Sequence, residues 1–128
     1  MFPLCVFIVC LKITLHSTSV PSGPPTNVSA ALVLSTNFTL TWHPPAAGER
    51  NGIITGYNIS ITSLSSPFED ALKYFTTSLT ITVDSLDPHT AYICTVAANT
   101  VIGMGPYSID LFVRTQQDGR YCTMFIVH

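Results

Sequence analysis

Short stretches in which apolar and polar residues alternate recur along this chain, and this alternation limits its fold more than any other feature. In the segment 38–42, FTLTW, it places Phe38, Leu40 and Trp42 on one side of an extended strand. The pattern recurs in segments 57–61 (YNISI), 79–83 (LTITV, with Leu79, Ile81 and Val83 inward) and 92–98 (YICTVAA). A period of two is typical of antiparallel strands with one buried face. We therefore expect an all-β fold, an antiparallel β-sandwich of about seven strands.

Residues that favour turns separate the predicted strands. Pro44 and Pro45 follow the strand that ends in Trp42, and proline lacks the backbone donor that a ladder needs. Asn51-Gly52 can adopt positive φ in a tight connection. The segment 68–75, FEDALKYF, carries only about two turns of helical period, so we expect it to be a loop leading into a short edge strand.

Charge is scarce in this chain. Charged residues make up 9% of it and the formal net charge is -2, whereas soluble domains average about 25% charged residues. No basic stripe is present that could neutralise phosphates, which argues against a nucleic-acid partner.

The two ends of the chain depart from the strand pattern. Residues 1–19 begin with an apolar run and end with small residues, which is typical of a secretory signal peptide, although no basic residue precedes the run. A strand left from a preceding domain and a misplaced start codon are the alternatives. Residues 20–116 form the predicted domain and 117–128 a tail outside it. The tail carries an apolar MFIV at 124–127, either the opening of a membrane span cut short or a non-homologous end from alternative splicing or gene prediction. It is too short to anchor the chain, so contact with a membrane would require a missing neighbouring segment.

The region from Pro21 to about Thr115 contains several motifs that occur together, in the same order, in one known domain family. They are PSGPPTNV at 21–28, LTW at 40–42 followed by two prolines, NGIITGYNI at 51–59, LDPHTAY at 86–92 and AANTVIGMGPYS at 97–108. The region resembles a fibronectin type III domain, of the kind found in cell-adhesion and receptor-type tyrosine phosphatase ectodomains. The resemblance implies an immunoglobulin-like sandwich.

The resemblance also implies roles for four structural residues. Trp42 and Tyr57 correspond to the ring residues that fill the family's core. Leu86 and Tyr92 correspond to its corner, where the Tyr92 hydroxyl would bond back to the chain near Asp87. None of the four implies a function.

Cys94 stands two residues after Tyr92, as the second disulfide cysteine does in an immunoglobulin domain. The partner for such a disulfide is missing, because no cysteine lies between residues 11 and 93. We expect Cys94 to be a buried free thiol, and a disulfide with Cys122 is the alternative.

Three Asn-x-Ser/Thr sequons are candidate N-glycosylation sites if the chain is secreted: Asn27, Asn37 and Asn58. The alternation places Asn37 and Asn58 on the face away from the core.

No constellation of residues suggests catalysis. The four histidines are scattered without metal-site spacing, and no Gly-rich phosphate loop is recognisable. We therefore expect no enzyme activity, no metal, no cofactor and no small-molecule substrate.

The connection between the last two predicted strands is a candidate contact loop. It lacks the Arg-Gly-Asp tripeptide known in the family and exposes Val101, Ile102 and Met104 to a possible protein partner. In the alternative, Val101 or Ile102 folds back and caps the sandwich.

Together these features predict a non-catalytic extracellular module for protein–protein interaction or adhesion. It would be secreted, or part of the ectodomain of a cell-surface receptor. The alternative is a truncated or mispredicted gene product that acts only as a structural spacer.

Overall fold

The computed structural model describes residues 19–66 and 70–117, and every paired strand within them is antiparallel. The strands are β1 (Thr26–Ala31), β2 (Phe38–His43), β3 (Gly56–Ser63), β4 (Leu72–Thr76), β5 (Thr80–Val83), β6 (Ala91–Asn99), β7 (Met104–Tyr107) and β8 (Leu111–Arg114). A short 3-10 turn, Ala47–Glu49, lies between β2 and β3. The prediction of an all-β antiparallel sandwich is confirmed.

The strands form two sheets. The smaller has the order β1-β2-β5, and the larger has the order β4-β3-β6, with β7 and β8 both pairing to β6. Segment 72–76 is thus an edge strand rather than a helix.

The described residues form eight strands, one more than the sequence predicts, because the last strand is interrupted. At the interruption, the Ser108 amide donates to the Val96 carbonyl at 2.8 Å, and the Val96 amide donates to the Ser108 hydroxyl at 3.0 Å. A side-chain oxygen thus takes the place of a backbone carbonyl and separates β7 from β8. Pro106, which has no amide hydrogen, lies in β7 just before the interruption.

Rings from both sheets meet in the core. Trp42 packs edge-on against Tyr57 with 5.6 Å between ring centroids, and Phe38 packs edge-on against Tyr92 at 6.3 Å. Such pairs add about 0.5–1.5 kcal/mol each to the burial of their apolar area. Leu86 is buried in the same cluster. The inward alternation fails at Leu79, which is 43% exposed because it lies before β5, at the end of the smaller sheet.

A hydrogen-bonded corner joins β5 to β6. The Asp87 amide donates to the Tyr92 hydroxyl at 2.9 Å. The Thr115 hydroxyl donates to the Asp87 carbonyl at 2.7 Å and accepts from the Thr90 amide at 2.9 Å. Burial raises the pKa of Tyr92, and the Asp87 hydrogen bond opposes that rise only in part. The neutral phenol therefore stays in place as an acceptor at physiological pH.

The domain has two distinguishable ends. At the N-terminal end, residues 19–25 lie beside the β2–β3 and β6–β7 connections, and the Ser22 amide donates to the Glu49 carbonyl at 2.8 Å. At the C-terminal end, the Gln116 amide donates to the Leu34 carbonyl at 3.0 Å, and the Leu86 amide to the Thr36 carbonyl at 2.9 Å. The chain therefore enters the sandwich at one end and leaves it at the other.

Replacing Tyr92 with Phe should destabilise the domain by about 1–2 kcal/mol, because the Asp87 amide loses its acceptor while the ring packing remains. Urea unfolding followed by tryptophan fluorescence measures this change. Tyr107→Phe is the control, since it keeps the ring that the Lys73 ammonium approaches at 5.6 Å, and its effect should stay within about 0.5 kcal/mol. Equal effects of the two substitutions would contradict the role of the corner bond.

Candidate functional site

The β6–β7 connection is a tight turn that exposes two apolar side chains. The Thr100 amide donates to the Gly103 carbonyl at 3.0 Å, and the Gly103 amide returns a bond to the Thr100 carbonyl at 3.2 Å. These two bonds close the turn on either side of Val101 and Ile102. Val101 is 74% exposed and Ile102 is 57% exposed, so neither caps the core.

The N-terminal segment is tied to this turn and to the β2–β3 connection. The Thr100 hydroxyl donates to the Ser19 carbonyl at 2.8 Å. The Asn51 side-chain amide donates to the Val20 carbonyl at 2.9 Å. A Cβ on Gly103 would lie 3.2 Å from a methyl group of Val20. Three separate parts of the chain thus converge at the N-terminal end.

Apolar side chains from these three parts form a surface that we call the end patch. Its members are Val20 (38% exposed), Ile53 (62%), Val101, Ile102 and Met104 (43%). Ile53 is included because Thr55, two residues further along the chain, donates its amide to the Asn99 carbonyl at 2.8 Å and so ties this segment to the base of the β6–β7 turn. A cluster of exposed apolar side chains in one place is typical of a contact surface for another protein.

Sequence reasoning identified Val101, Ile102 and Met104 but missed Val20 and Ile53. Ile53 carries a usable signal, since it is an apolar residue directly after the Asn51-Gly52 turn and outside the alternating pattern. Val20 carries none, because only the hydrogen bonds of the folded chain bring it to the β6–β7 turn.

The end patch continues onto the outer face of the larger sheet. The Asn58 side-chain amide donates to the Asn99 side-chain oxygen at 3.3 Å and contacts the Met104 sulfur at 3.1 Å. Phe75 lies in β4, and its ring covers Gly56 in the paired strand β3. A Cβ on Gly56 would collide with this ring. Phe75 is 58% exposed, so this face also presents apolar area.

The three sequon asparagines occupy different surfaces. Asn27 is exposed at a bulge in β1, with φ of 52°, and its side-chain amide lies 3.3 Å from Nδ1 of His43. Asn37 immediately precedes β2 and is half-buried. Asn58 lies in the middle of the larger sheet, with its amide held by Asn99 and Met104. Asn27 is therefore the most accessible of the three in the folded domain.

Metal-binding side chains do not cluster in residues 19–66 and 70–117. No group of three His, Cys, Asp or Glu side chains in these ranges could hold a metal ion.

A groove of about 420 Å³ runs between β1 and the β7–β8 connection, lined largely by apolar residues such as Pro25, Val28 and Ile109. Within the same ranges, no helix is long and apolar enough to cross a bilayer.

Cys94 is a buried free thiol in the centre of β6. It is fully buried, and burial raises its pKa to about 12. The thiolate is the reactive form of cysteine, so this environment suppresses both nucleophilic attack and oxidation. Cys122 lies outside the described residues.

The chain is similar in sequence and in fold to known proteins. The family model described as fibronectin type III domain matches residues 23–114. Receptor-type tyrosine-protein phosphatase F of Mus musculus is 38% identical over 96 residues, and the cell adhesion molecule Dscam2 of Drosophila melanogaster is 31% identical over 103 residues. The alignments cover 75% and 77% of this chain but only 5% of each relative.

A solved structure shows the same fold. The FN5 domain of Drosophila Lar superposes with a TM-score of 0.63 at 33% sequence identity. The superposition covers 77% of this chain and 100% of the Lar domain.

We predict that the Cys94 thiol of the native domain does not react with iodoacetamide at mildly alkaline pH and reacts readily after unfolding in urea. Peptide mapping by mass spectrometry distinguishes Cys94 from the other three cysteines. Since the raised pKa belongs to the folded state, stability should be unaffected below pH 9 and should fall as pH rises from 9 towards 12. Native labelling at the rate of the unfolded chain would contradict the buried thiol.

Proposed function

The chain belongs to the fibronectin type III family, and from this premise we propose that it is an extracellular module for protein–protein interaction and adhesion, secreted or part of a cell-surface receptor. Domains of this family are non-catalytic modules. The relatives whose names include a receptor-type phosphatase and a cell adhesion molecule support the proposal. Because this chain matches only 5% of the length of each, their other activities are not assigned to it.

The end patch carries the proposal. Val101 and Ile102 are held in a turn closed by two backbone hydrogen bonds, so their exposure is built into the turn. A partner that covers them gains about 25 cal/mol for each Å² of apolar surface removed from water. It pays little to order the turn, because the turn is already formed before binding.

The chemistry of the patch favours a protein partner. Its five side chains are uncharged and apolar, whereas nucleic acids are bound by lysine and arginine side chains that neutralise phosphates. Small-molecule sites are concave pockets that bury most of the ligand, whereas the side chains of Val101 and Ile102 are largely exposed on a turn. We propose a protein surface with a complementary apolar patch as the partner.

The proposed domain boundaries follow the extent of the fold. Residues 20–116 are the proposed domain, which agrees with the family match over 23–114. Residues 1–19 are the proposed signal peptide and 117–128 the proposed tail, and both lie almost entirely outside the described residues. With the ends of the domain at opposite poles, further modules can be joined in line on either side.

Replacing both Val101 and Ile102 with Ser should weaken binding to a protein partner without unfolding the domain. Such a partner is sought by testing a multimerised form of the chain against a panel of receptor ectodomains, and biolayer interferometry then measures affinity. Loss of two exposed apolar anchors should weaken binding by roughly 2 kcal/mol or more.

A matched control is available at the C-terminal end. Leu32 and Leu34 are 76% and 52% exposed, close to the values for Val101 and Ile102. The double substitution of Leu32 and Leu34 with Ser removes comparable apolar area and should leave binding intact. Equal loss in the two double variants would contradict the end patch as the contact surface. Binding by neither wild type nor variants would favour the alternative of a structural spacer.

Secretion of the full chain from animal cells should depend on residues 1–19 and should yield N-glycosylated protein. Treatment with peptide-N-glycosidase should increase gel mobility, and mass spectrometry should find the glycan at Asn27 first, because its side chain is the most accessible. Ser29→Ala, Thr39→Ala and Ser60→Ala remove the three sequons one at a time while keeping each asparagine. Protein retained inside the cell with or without residues 1–19 would contradict the extracellular assignment.

A further inference from the structure

We propose that Asn51-Gly52 is a site of spontaneous succinimide formation, and that the hydrogen bond between the Asn51 side chain and Val20 controls its rate. Conversion of Asn51 to aspartate or isoaspartate would then loosen the N-terminal segment from the β2–β3 connection. This proposal concerns covalent chemistry of the chain itself and does not depend on the end patch having a partner.

The sequence singles out one asparagine. The chain contains five, and they are followed by Val28, Phe38, Gly52, Ile59 and Thr100. Ring closure requires the following backbone nitrogen to approach the asparagine side-chain carbon. Only glycine, which has no Cβ, leaves that approach open. Asn51 is therefore the reactive position, and the other four asparagines are internal controls.

The structure leaves the attacking nitrogen available. Within the described ranges, no acceptor takes a hydrogen bond from the Gly52 amide. Asn51 has φ of 56° and Gly52 has φ of 137°, and neither residue belongs to a strand. The backbone at this point can therefore rotate without breaking a ladder bond, unlike that of Asn58 in the middle of β3.

The Val20 carbonyl restrains the other reacting group. It accepts the Asn51 side-chain amide at 2.9 Å, which holds the side chain towards the N-terminal segment. Rotation into the reactive geometry requires this bond to break. In the chain that still carries residues 1–19, Ser19 is held in turn by the Thr100 hydroxyl at 2.8 Å, so Thr100 indirectly keeps Val20 in place.

The reaction balances without an added oxidant or cofactor. The Gly52 nitrogen loses its proton to solvent base and bonds to the Asn51 side-chain carbon. The bond from that carbon to the side-chain nitrogen then breaks, and the departing nitrogen takes a proton from solvent and leaves as ammonia. Water then opens the ring at either carbonyl and gives aspartate or isoaspartate. Both products carry one more negative charge than the original chain, whose formal net charge is -2.

The product cannot restore the original contact. A carboxylate has no hydrogen to donate to the Val20 carbonyl, and two acceptor oxygens would face each other. Ser19 would keep its bonds to Thr100 and to the Val20 carbonyl. Pro21 would stay packed against Gly105, and the Ser22 amide would stay bonded to the Glu49 carbonyl. The change is therefore confined to the point where a preceding segment joins the domain.

The test is incubation of the purified full chain, produced without secretion so that residues 1–19 stay attached, in mildly alkaline buffer. Peptide mapping and enzymatic detection of isoaspartate follow. Isoaspartate should accumulate at Asn51 with loss of ammonia, and the other four asparagines should remain intact. Asp118-Gly119 can form the same ring and serves as a positive standard within the same sample. An unmodified Asn51 in a sample where Asp118 has isomerised would overturn the proposal.

Two variants test the control by Val20. Thr100→Val removes the bond that holds Ser19, together with a bond at 3.3 Å that the Thr100 hydroxyl accepts from the Ile102 amide. Loss of the bond to Ser19 should speed modification of Asn51 roughly two- to ten-fold. Thr55→Val is the matched control, because its hydroxyl contacts the Asn99 carbonyl and not the N-terminal segment. Equal rates in the two variants would overturn the role of the Val20 bond.

Discussion

The edge-on packing of rings between the two sheets is the interaction on which the rest of the structure depends. Phe38 and Trp42 lie at opposite ends of β2 in the smaller sheet, and each meets a tyrosine of the larger sheet. Two such contacts on one strand fix both the distance between the sheets and the position of β2 along them. A shift of β2 by one residue would turn Phe38 and Trp42 away from the tyrosines and towards solvent.

This core determines which parts of the surface can vary. Turns at either end contribute little to the packing between the sheets, so their residues can change without loss of the fold. The β6–β7 turn illustrates this freedom, since Val101 and Ile102 contribute nothing to the core and yet keep a defined position. A rigid scaffold with a pre-formed apolar turn is the arrangement that a contact surface requires.

Local alternation was enough to predict most of the fold. Phe38, Trp42 and Tyr57 follow a period of two, and their burial needs no information beyond their own segments. The break between β7 and β8 escaped prediction because it arises when Ser108 binds Val96, a residue in another strand. The exposure of Leu79 escaped it for a similar reason, since the smaller sheet ends there.

The candidate site was predictable only where it consists of one segment. The three apolar residues of the β6–β7 connection are adjacent in sequence, whereas Val20 and Ile53 join them through bonds of Asn51 and Thr55 to distant carbonyls. The same bonds couple the β2–β3 connection to the point where the chain enters the domain. A change at Asn51 therefore acts at one border of the end patch through Val20, while the ring contacts of the core, which involve neither residue, remain as they are.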